Sequence, residues 1–484
     1  MSMTKALSNA LAGLSVVARG TEVVSGNLSN IMTPGYARRE LALSVQSLGA
    51  GSAGVRVDGI TRAVNQGLLA ASRQSAGAAA ATATLDAFAA GMADVVGMPG
   101  STGALSTALT QFRSALTDAA ARPDDTIRLS RTVGSALRLA DGLNAAGLSV
   151  QAARAEADRA IGADVTLLNR SLDRVAYLNA RIASVSGLPE DVSGLMDERQ
   201  AVIDLISEIV PIQEVDRDAG KVALFSTSGA VLLDGSRPVV FTFAPAEAMS
   251  AEQEVTGPLL SLVAQDGVEM TGSQMRMLQG GRLEANFTIR DEEAPRLQAE
   301  LDAIAYDLQA RLGTGGPDPS IVLGQAGLFT DAGAPAQATA LTGLAGRLGV
   351  NMLVRADKGG DATRLRTGLY APAGPVGDAA NLTAMAAALD VLSPSVTPSR
   401  FVGNASMTAR LADLEGRVAL RRVEAQTDNS IRTTRHDTIA SALMAEGVDS
   451  DTEMQKLLQY ESAYAANARV IQAIDDMLDQ LLRI

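Results

Sequence analysis

Apolar residues near both ends of the chain recur at alternating steps of three and four. Leu7, Ala10, Leu14, Val17, Thr21, Val24, Leu28 and Ile31 make one such run, and Leu457, Tyr460, Tyr464, Asn467, Ile471, Ile474, Leu478 and Leu481 make the other. This is the a/d spacing of a heptad repeat, which sets one stripe of a helix against a neighbouring helix. Two seams of about equal length, roughly four heptads each, are expected to pair with one another as a coiled coil. Asn467 is the one amide in the C-terminal seam, and a polar a or d residue is a common device for fixing register. Asp449, Ser450 or Asp451 can cap that helix, and Glu453 is well placed for the dipole at its start. Spacing alone also allows each helix to pack separately on a globular core.

The first helix, over residues 4–31, carries only Lys5, Arg19 and Glu22 as charges and contains Gly13, Gly20 and Gly26. Few charges and close-approach glycines describe a helix surrounded on several sides. It ends at Thr33-Pro34-Gly35, and residues 39–62 alternate weakly around Gly-rich turns, which predicts an extended hairpin. Helical patterning then covers 64–96, 105–121, 126–185 and 191–210, broken at Pro123-Asp124-Asp125-Thr126, at Gly187-Leu188-Pro189 and at Pro211. From Ile212 the period changes to two. Residues 222–225, 231–233 and 239–243, separated by Ser228-Gly229 and Asp234-Gly235, predict a β-meander, with further short strands over 258–271. Helices return over 294–312, 379–391 and 404–445, while 313–379 reads as loops with a few strands. The expected fold class is mainly α with a small β element: paired terminal helices, then an elongated helical rod domain with an inserted β-meander. The expected domains are 1–62 with 430–484 (terminal coiled coil), 63–211 with 281–429 (elongated helical domain) and 212–280 (β-rich insertion).

Composition narrows the chemistry. With 3% aromatics and no tryptophan among 484 residues, cores must be built from Leu, Val, Ile and Ala, which suits narrow helix packing. The absence of cysteine excludes disulfides and thiolate metal sites. A net charge of −13 argues against a nucleic-acid partner, which needs a basic face. The two ends differ in sign: residues 1–60 carry five basic and three acidic side chains, residues 446–484 three basic and eight acidic. The first residues do not read as a cleaved signal peptide, and no uninterrupted apolar run reaches the length of a membrane span. No membrane partner is therefore expected, and any export uses a route that needs no cleaved signal. His436 sits among polar residues and reads as solvated or capping. Gly280-Gly281 and Gly359-Gly360 lack the Lys-Ser/Thr of a phosphate loop. Asp475, Asp476 and Asp479 share one helix face and read as a solvated or inter-subunit edge. No catalytic, cofactor-binding or metal-ligating residue is assigned, and no enzyme is expected.

The segment Asn27-Leu28-Ser29-Asn30-Ile31-Met32-Thr33-Pro34-Gly35-Tyr36-Ala37-Arg38 resembles the N-terminal signature of the bacterial flagellar rod, hook and junction axial proteins. Tyr460-Glu461-Ser462-Ala463-Tyr464-Ala465-Ala466-Asn467-Ala468-Arg469-Val470-Ile471-Gln472 resembles the signature at their other end. Interior similarities include Leu195-Met196-Asp197-Glu198-Arg199-Gln200, Gly280-Gly281-Arg282-Leu283 and Gly377-Asp378-Ala379-Ala380-Asn381-Leu382. Met32 departs from the Asn usual in the family, and 313–379 is short where many relatives insert an outer β-domain, so that domain is expected to be reduced.

Within the family, the Thr-Pro-Gly-Tyr-x-Arg form, the length and the interior favour a hook–filament junction member. The resemblance implies assembly through the two seams and a signature turn at Asn30, Thr33, Pro34, Gly35, Tyr36 and Arg38. It implies unfolded export through the flagellar type III apparatus with an export chaperone, and a homo-oligomeric ring outside the cell. The hook protein would lie on one side and a second junction protein, hook-associated protein 3, on the other, with no cofactor. Another axial component (rod or hook) remains the first alternative, and a secreted enzyme or adhesin carrying axial-protein ends the second.

Overall fold

The computed structural model describes residues 3–33, 35–48, 51–185, 191–253, 268, 270–335, 337–396 and 399–482. The chain opens with α1 (Met3–Ser29), an antiparallel hairpin of β1 (Arg39–Leu48) and β2 (Gly51–Arg62), and α2 (Gln66–Val96). Next come α3 (Leu105–Ala121), α4 (Thr126–Ser184) and α5 (Ser193–Ile209). A four-stranded antiparallel meander follows, of β3 (Ile212–Asp216), β4 (Val222–Ser226), β5 (Val231–Asp234) and β6 (Arg237–Pro238). After α6 (Gly272–Arg276), α7 (Arg282–Thr288) runs through one π turn into α8 (Ala294–Arg311). The segment that then returns the chain holds a two-stranded pair, β7 (Phe329–Asp331) with β8 (Leu348–Val350). It also holds the short helices α9 (Leu344–Arg347), α10 (Arg364–Thr367) and α11 (Ala380–Ala388). Two long helices, α12 (Met407–Ala445) and α13 (Ser450–Leu482), close the fold. The fold is mainly helical with small antiparallel sheets.

The spine is α4, whose 59 residues extend about 90 Å at 1.5 Å per residue. Asp125 caps it, its carboxylate accepting from the N–H groups of Ile127 (2.9 Å) and Arg128 (3.2 Å). Apolar positions of α4 from Leu129 to Val150 belong to one core, shared with α3, α8 and the start of α12. Positions from Ile161 to Val175 belong to a second core, shared with α5 and the meander. Between them lies a buried polar layer. Arg154 donates to the carbonyls of Arg290 (3.0 Å), Ser250 (2.9 Å) and Gln253 (2.6 Å), while Arg290 meets Asp158 at 2.7 Å. The π turn directs Arg290 into this layer, beneath the ring of Phe287 at 4.8 Å.

Several expectations change on contact with the structure. Residues 239–243 do not form a strand: β6 is confined to Arg237–Pro238. Pro238 lacks an N–H, and Asn169 of α4 takes both backbone groups of Phe241 (3.0 and 2.7 Å), replacing a strand partner. The strands expected over 258–271 fall largely outside the described residues, as does the break at 187–189. The 313–379 segment, expected as loops with a few strands, holds β7, β8 and the short helices α9 and α10, and its Phe329, Leu344, Leu348, Val354 and Leu365 are buried in the first core. The boundary expected at 430 falls inside α12, which is continuous to Ala445. α2 is long and apolar enough on average to pass a test for a membrane span, although polar residues interrupt it throughout. Here it pairs antiparallel with α12 along bonds from Asn65 to Glu446, Ser75 to His436 and Asn429 to Asp86. His436 is thus half-buried between two helices, 3.1 Å from the Ser75 hydroxyl, and not simply solvated.

Asp302 of α8 is buried and accepts from the N–H groups of Gly343 (2.8 Å) and Ala345 (2.7 Å) and from Gln298 (2.9 Å). Burial outweighs these donors and pushes its pKa up to about 6. The folded state therefore holds this proton more tightly than the unfolded chain. Its contribution to stability is full below the ordinary carboxylate range and is lost as pH rises through about 6. The melting temperature should fall between pH 4 and 6 along this component, and Asp302→Asn should flatten that part of the profile. An unchanged slope in the variant would refute the assignment.

Candidate assembly site

α1 and α13 lie antiparallel against each other. The buried face of α1 is Ala10, Val17, Gly20, Val23, Val24 and Asn27. A Cβ built on Gly13 would fall 2.6 Å from the Asn467 amide, and one on Gly20 would fall 2.5 Å from the Tyr460 ring. The two large side chains therefore sit in holes that only glycine leaves open. Asn27, Gly20 and Gly13 descend α1 in steps of seven, while Glu453, Tyr460 and Asn467 climb α13 in the same steps. Opposite partners thus recur at each heptad.

This face differs from the one the apolar pattern suggests. Ala10, Val17 and Val24 belong to both, and Leu7 is half-buried. Gly13, Gly20 and Asn27 meet α13 where Leu14, Thr21 and Leu28 were expected; Leu14 and Leu28 are half-buried and Thr21 is exposed. Ile31 lies beyond the end of α1 and is exposed. On α13, Ile474 is buried and Leu457, Tyr460, Asn467 and Ile471 are half-buried, whereas Tyr464 and Leu478 face outward. The side chain of Leu481 lies outside the described residues. The helix face is rotated because glycine carries no apolar signal, yet it permits the closest approach. Asp449 is the residue that caps α13, accepting from the N–H of Asp451 (3.0 Å) and the hydroxyl of Thr452 (2.7 Å). These bonds, the hydroxyl first, hold its carboxyl below the usual range.

The signature turn closes the end of α1 onto this pair. The Thr33 N–H donates to the Asn30 carbonyl (2.9 Å), and the Tyr36 N–H to the Thr33 carbonyl (3.2 Å). Gly35 adopts a φ of +79° in the left-handed region. Arg38 pairs with Glu40 at 2.6 Å, and Pro34 lies outside the described residues. The turn delivers Tyr36 to Asn27, a motif residue whose burial no local pattern announces. Asn27 is fully buried and uses its whole amide. Its Nδ2 donates to the Arg39 carbonyl (3.0 Å) and to Glu453 (3.0 Å), and its Oδ1 accepts from the Tyr36 hydroxyl (2.9 Å) and the Arg39 N–H (2.9 Å). Glu453 is fully buried as well, and its other oxygen lies 2.9 Å from the Lys456 ammonium. Burial raises the Tyr36 phenol above its ordinary pKa, against the opposing pull of the Arg39 guanidinium over its ring.

A second junction ties this end to the rod. The register of the hairpin sets Arg39 opposite Arg62, and both reach Asp197 of α5, at 3.4 and 2.8 Å. Asp197 also accepts from the Ala37 N–H (3.3 Å), and Asp191 meets Arg39 at 3.4 Å. Two residues on, Arg199 turns inward and donates to Asn179 (2.9 Å) and to the Gly220 carbonyl (2.7 Å). The motif around 195–200 therefore faces both ways, clasping the terminal hairpin and bracing α4. The signal was a carboxylate and an arginine two residues apart near the start of α5. Gly281 of the second interior motif is a close-approach position, since a Cβ there would lie 2.2 Å from the Ile209 carbonyl oxygen.

Among the described residues, no group of His, Asp or Glu has the geometry of a metal site. A groove of about 450 Å³ runs between α2, α8 and α12. Its rim charges pair with one another, Arg421 with Glu293 at 2.6 Å and Arg417 with Glu300 at 3.4 Å. Asp475, Asp476 and Asp479 are exposed along α13.

Comparison with known proteins adds the following. A family model for the helical domain of the flagellar hook-associated protein FlgK matches residues 98–314. A model for the C-terminal region of flagellar basal body rod FlgEFG proteins matches residues 440–484. Flagellar hook-associated protein 1 of Escherichia coli (strain K12) is 26% identical over 246 residues, covering 48% of this chain and 44% of that protein. The protein of the same name from Bacillus subtilis (strain 168) is 24% identical over 337 residues, covering 65% and 63%. The chain thus spans less than half the length of the Escherichia coli relative it matches. The solved structure of the flagellar hook junction protein FlgK from Burkholderia pseudomallei aligns with a TM-score of 0.44 at 23% identity, covering 55% of this chain and 46% of that one.

Proposed function

We propose, from the premise that this chain belongs to the flagellar hook-associated protein FlgK family, that it is a structural subunit of the hook–filament junction. The observation that carries the reading is the terminal helix pair. It buries one seam through Gly13, Gly20 and Asn27, yet leaves Leu11, Met454, Leu458, Tyr464, Val470 and Leu478 exposed. Exposed apolar side chains running along α13, with Leu11 on α1, suit a surface that neighbours cover. The neighbours would be further copies in a ring, with the hook protein on one side and a second junction protein, hook-associated protein 3, on the other. Export without a cleaved signal, assisted by a chaperone through the flagellar type III apparatus, would bring the chain to this extracellular place. The role is structural and needs no catalysis or cofactor. The domain division that fits it is a terminal pair with its hairpin, and a rod built on α4.

The FlgK helical-domain match over 98–314 favours a junction subunit over a rod or hook component, since the rod-type match is confined to 440–484. Electron microscopy of cells lacking the protein tests the choice. Hooks that carry no filament are the expected result; cells without hooks would transfer the chain to the rod or hook class.

A further inference from the structure

We infer that the buried pair Asn27–Glu453 selects the register of the terminal helix pair. The inference concerns the folded subunit and holds whether or not the chain serves at the junction. The seam between α1 and α13 is built on a repeat that is close to self-similar. Gly13 and Gly20 are one heptad apart, and so are Tyr460 and Asn467. In the structure Tyr460 sits over Gly20 and Asn467 over Gly13. If α13 slides by one heptad, Tyr460 comes over Gly13 and Asn467 over Ala6. The aromatic knob still finds a glycine hole, so packing distinguishes the two registers only weakly.

The polar pair distinguishes them strongly. In the observed register the Asn27 amide meets Glu453 at 3.0 Å, with both side chains fully buried. After the slide Glu453 keeps Lys456 of its own helix on one oxygen, but the oxygen that Asn27 fills faces Gly20, on a stretch of α1 flanked by Val17, Val23 and Val24, and is left without a donor. Asn27 then faces position 446, which lies at the end of α12 before α13 begins and whose carboxylate is held by Asn65 at 3.0 Å. A buried acceptor without a donor is costly where a made hydrogen bond contributes only modestly, so the pair acts mainly against the wrong register. Asn27 cannot follow the slide, because its remaining bonds go to Tyr36 and Arg39 on its own side of the interface.

The chain has no cysteine, so introduced pairs report register cleanly. In the full-length protein, Gly13→Cys with Asn467→Cys closes a disulfide in the observed register. Ala6→Cys with Asn467→Cys closes one only after a one-heptad slide, because one heptad is about 10.5 Å of helix, beyond disulfide reach. The ratio of slid to unslid cross-linking is compared between Glu453, Glu453→Gln and Glu453→Leu. Glu453→Gln keeps an acceptor for Asn27 and should leave the ratio unchanged, whereas Glu453→Leu should raise it about tenfold. Circular dichroism and solution mass check that helix content and the monomer persist. An unchanged ratio in Glu453→Leu would overturn the inference and leave register to packing. Loss of both cross-links in that variant would overturn it too, since the pair would then be needed for association and not for choosing a register.

Discussion

Gly20→Val should open the terminal helix pair while leaving the rod intact. The added side chain begins 2.5 Å from the Tyr460 ring, and overpacking a tight contact costs about 1–3 kcal/mol. The pair is held by a single narrow seam, so that amount is a large part of what holds it. Limited proteolysis of the purified protein should then cut within 3–29 and 450–482 about tenfold faster or more, at unchanged rates within α4. Adding Tyr460→Ala removes the colliding ring and should recover most of the protection. A Gly20→Val protein as resistant as the parent would show that the ring does not occupy that hole in solution.

Arg290→Leu is expected to destabilise the rod by about 3–5 kcal/mol, the usual consequence of removing one partner from a buried ion pair. Arg290 and Asp158 are 2% and 3% exposed and 2.7 Å apart, so the carboxylate left behind has no route to water. Among the described residues it would retain the Ala246 N–H at 2.6 Å. Replacing both residues with leucine should cost less than Arg290→Leu alone, because the Asp158 charge is then not stranded and the remaining partner of Arg290, Asp291, is partly exposed. Urea unfolding followed by circular dichroism gives both numbers. A single variant within about 1 kcal/mol of the parent would mean that the layer is hydrated and contributes little.

The layer also explains why one helix as long as α4 can serve two cores. Between Val150 of the first core and Ile161 of the second only alanines, Ala153 and Ala157, add apolar contact, and Arg154 and Asp158 bind the π turn and the loop at 250–253 there. From the sequence this interval reads as ordinary solvated charge on a long helix. Nothing in the spacing of Arg154 and Asp158 reveals that the π turn at 289–293 returns Arg290 to the same place.

Features that depend on neighbours along the chain were legible before the fold was known. Apolar period separated helices from the meander, and caps and breakers such as Asp125, Pro123 and Pro211 placed the helix ends close to those observed. The complementary runs at the two termini were also legible, because a heptad repeat records in one strand of sequence that a partner helix exists. Tertiary structure alone decided which face each helix presents and in what register. Leu14 and Gly13 are adjacent, and hydrophobicity favours the leucine, but the approach of Tyr460 and Asn467 rewards the position with no side chain. Asn27, Glu453, Asp197 and Arg290 acquire their roles from groups tens to hundreds of residues away. Burying a polar group is favourable only when a specific donor or acceptor meets it, and that condition is set by folded geometry.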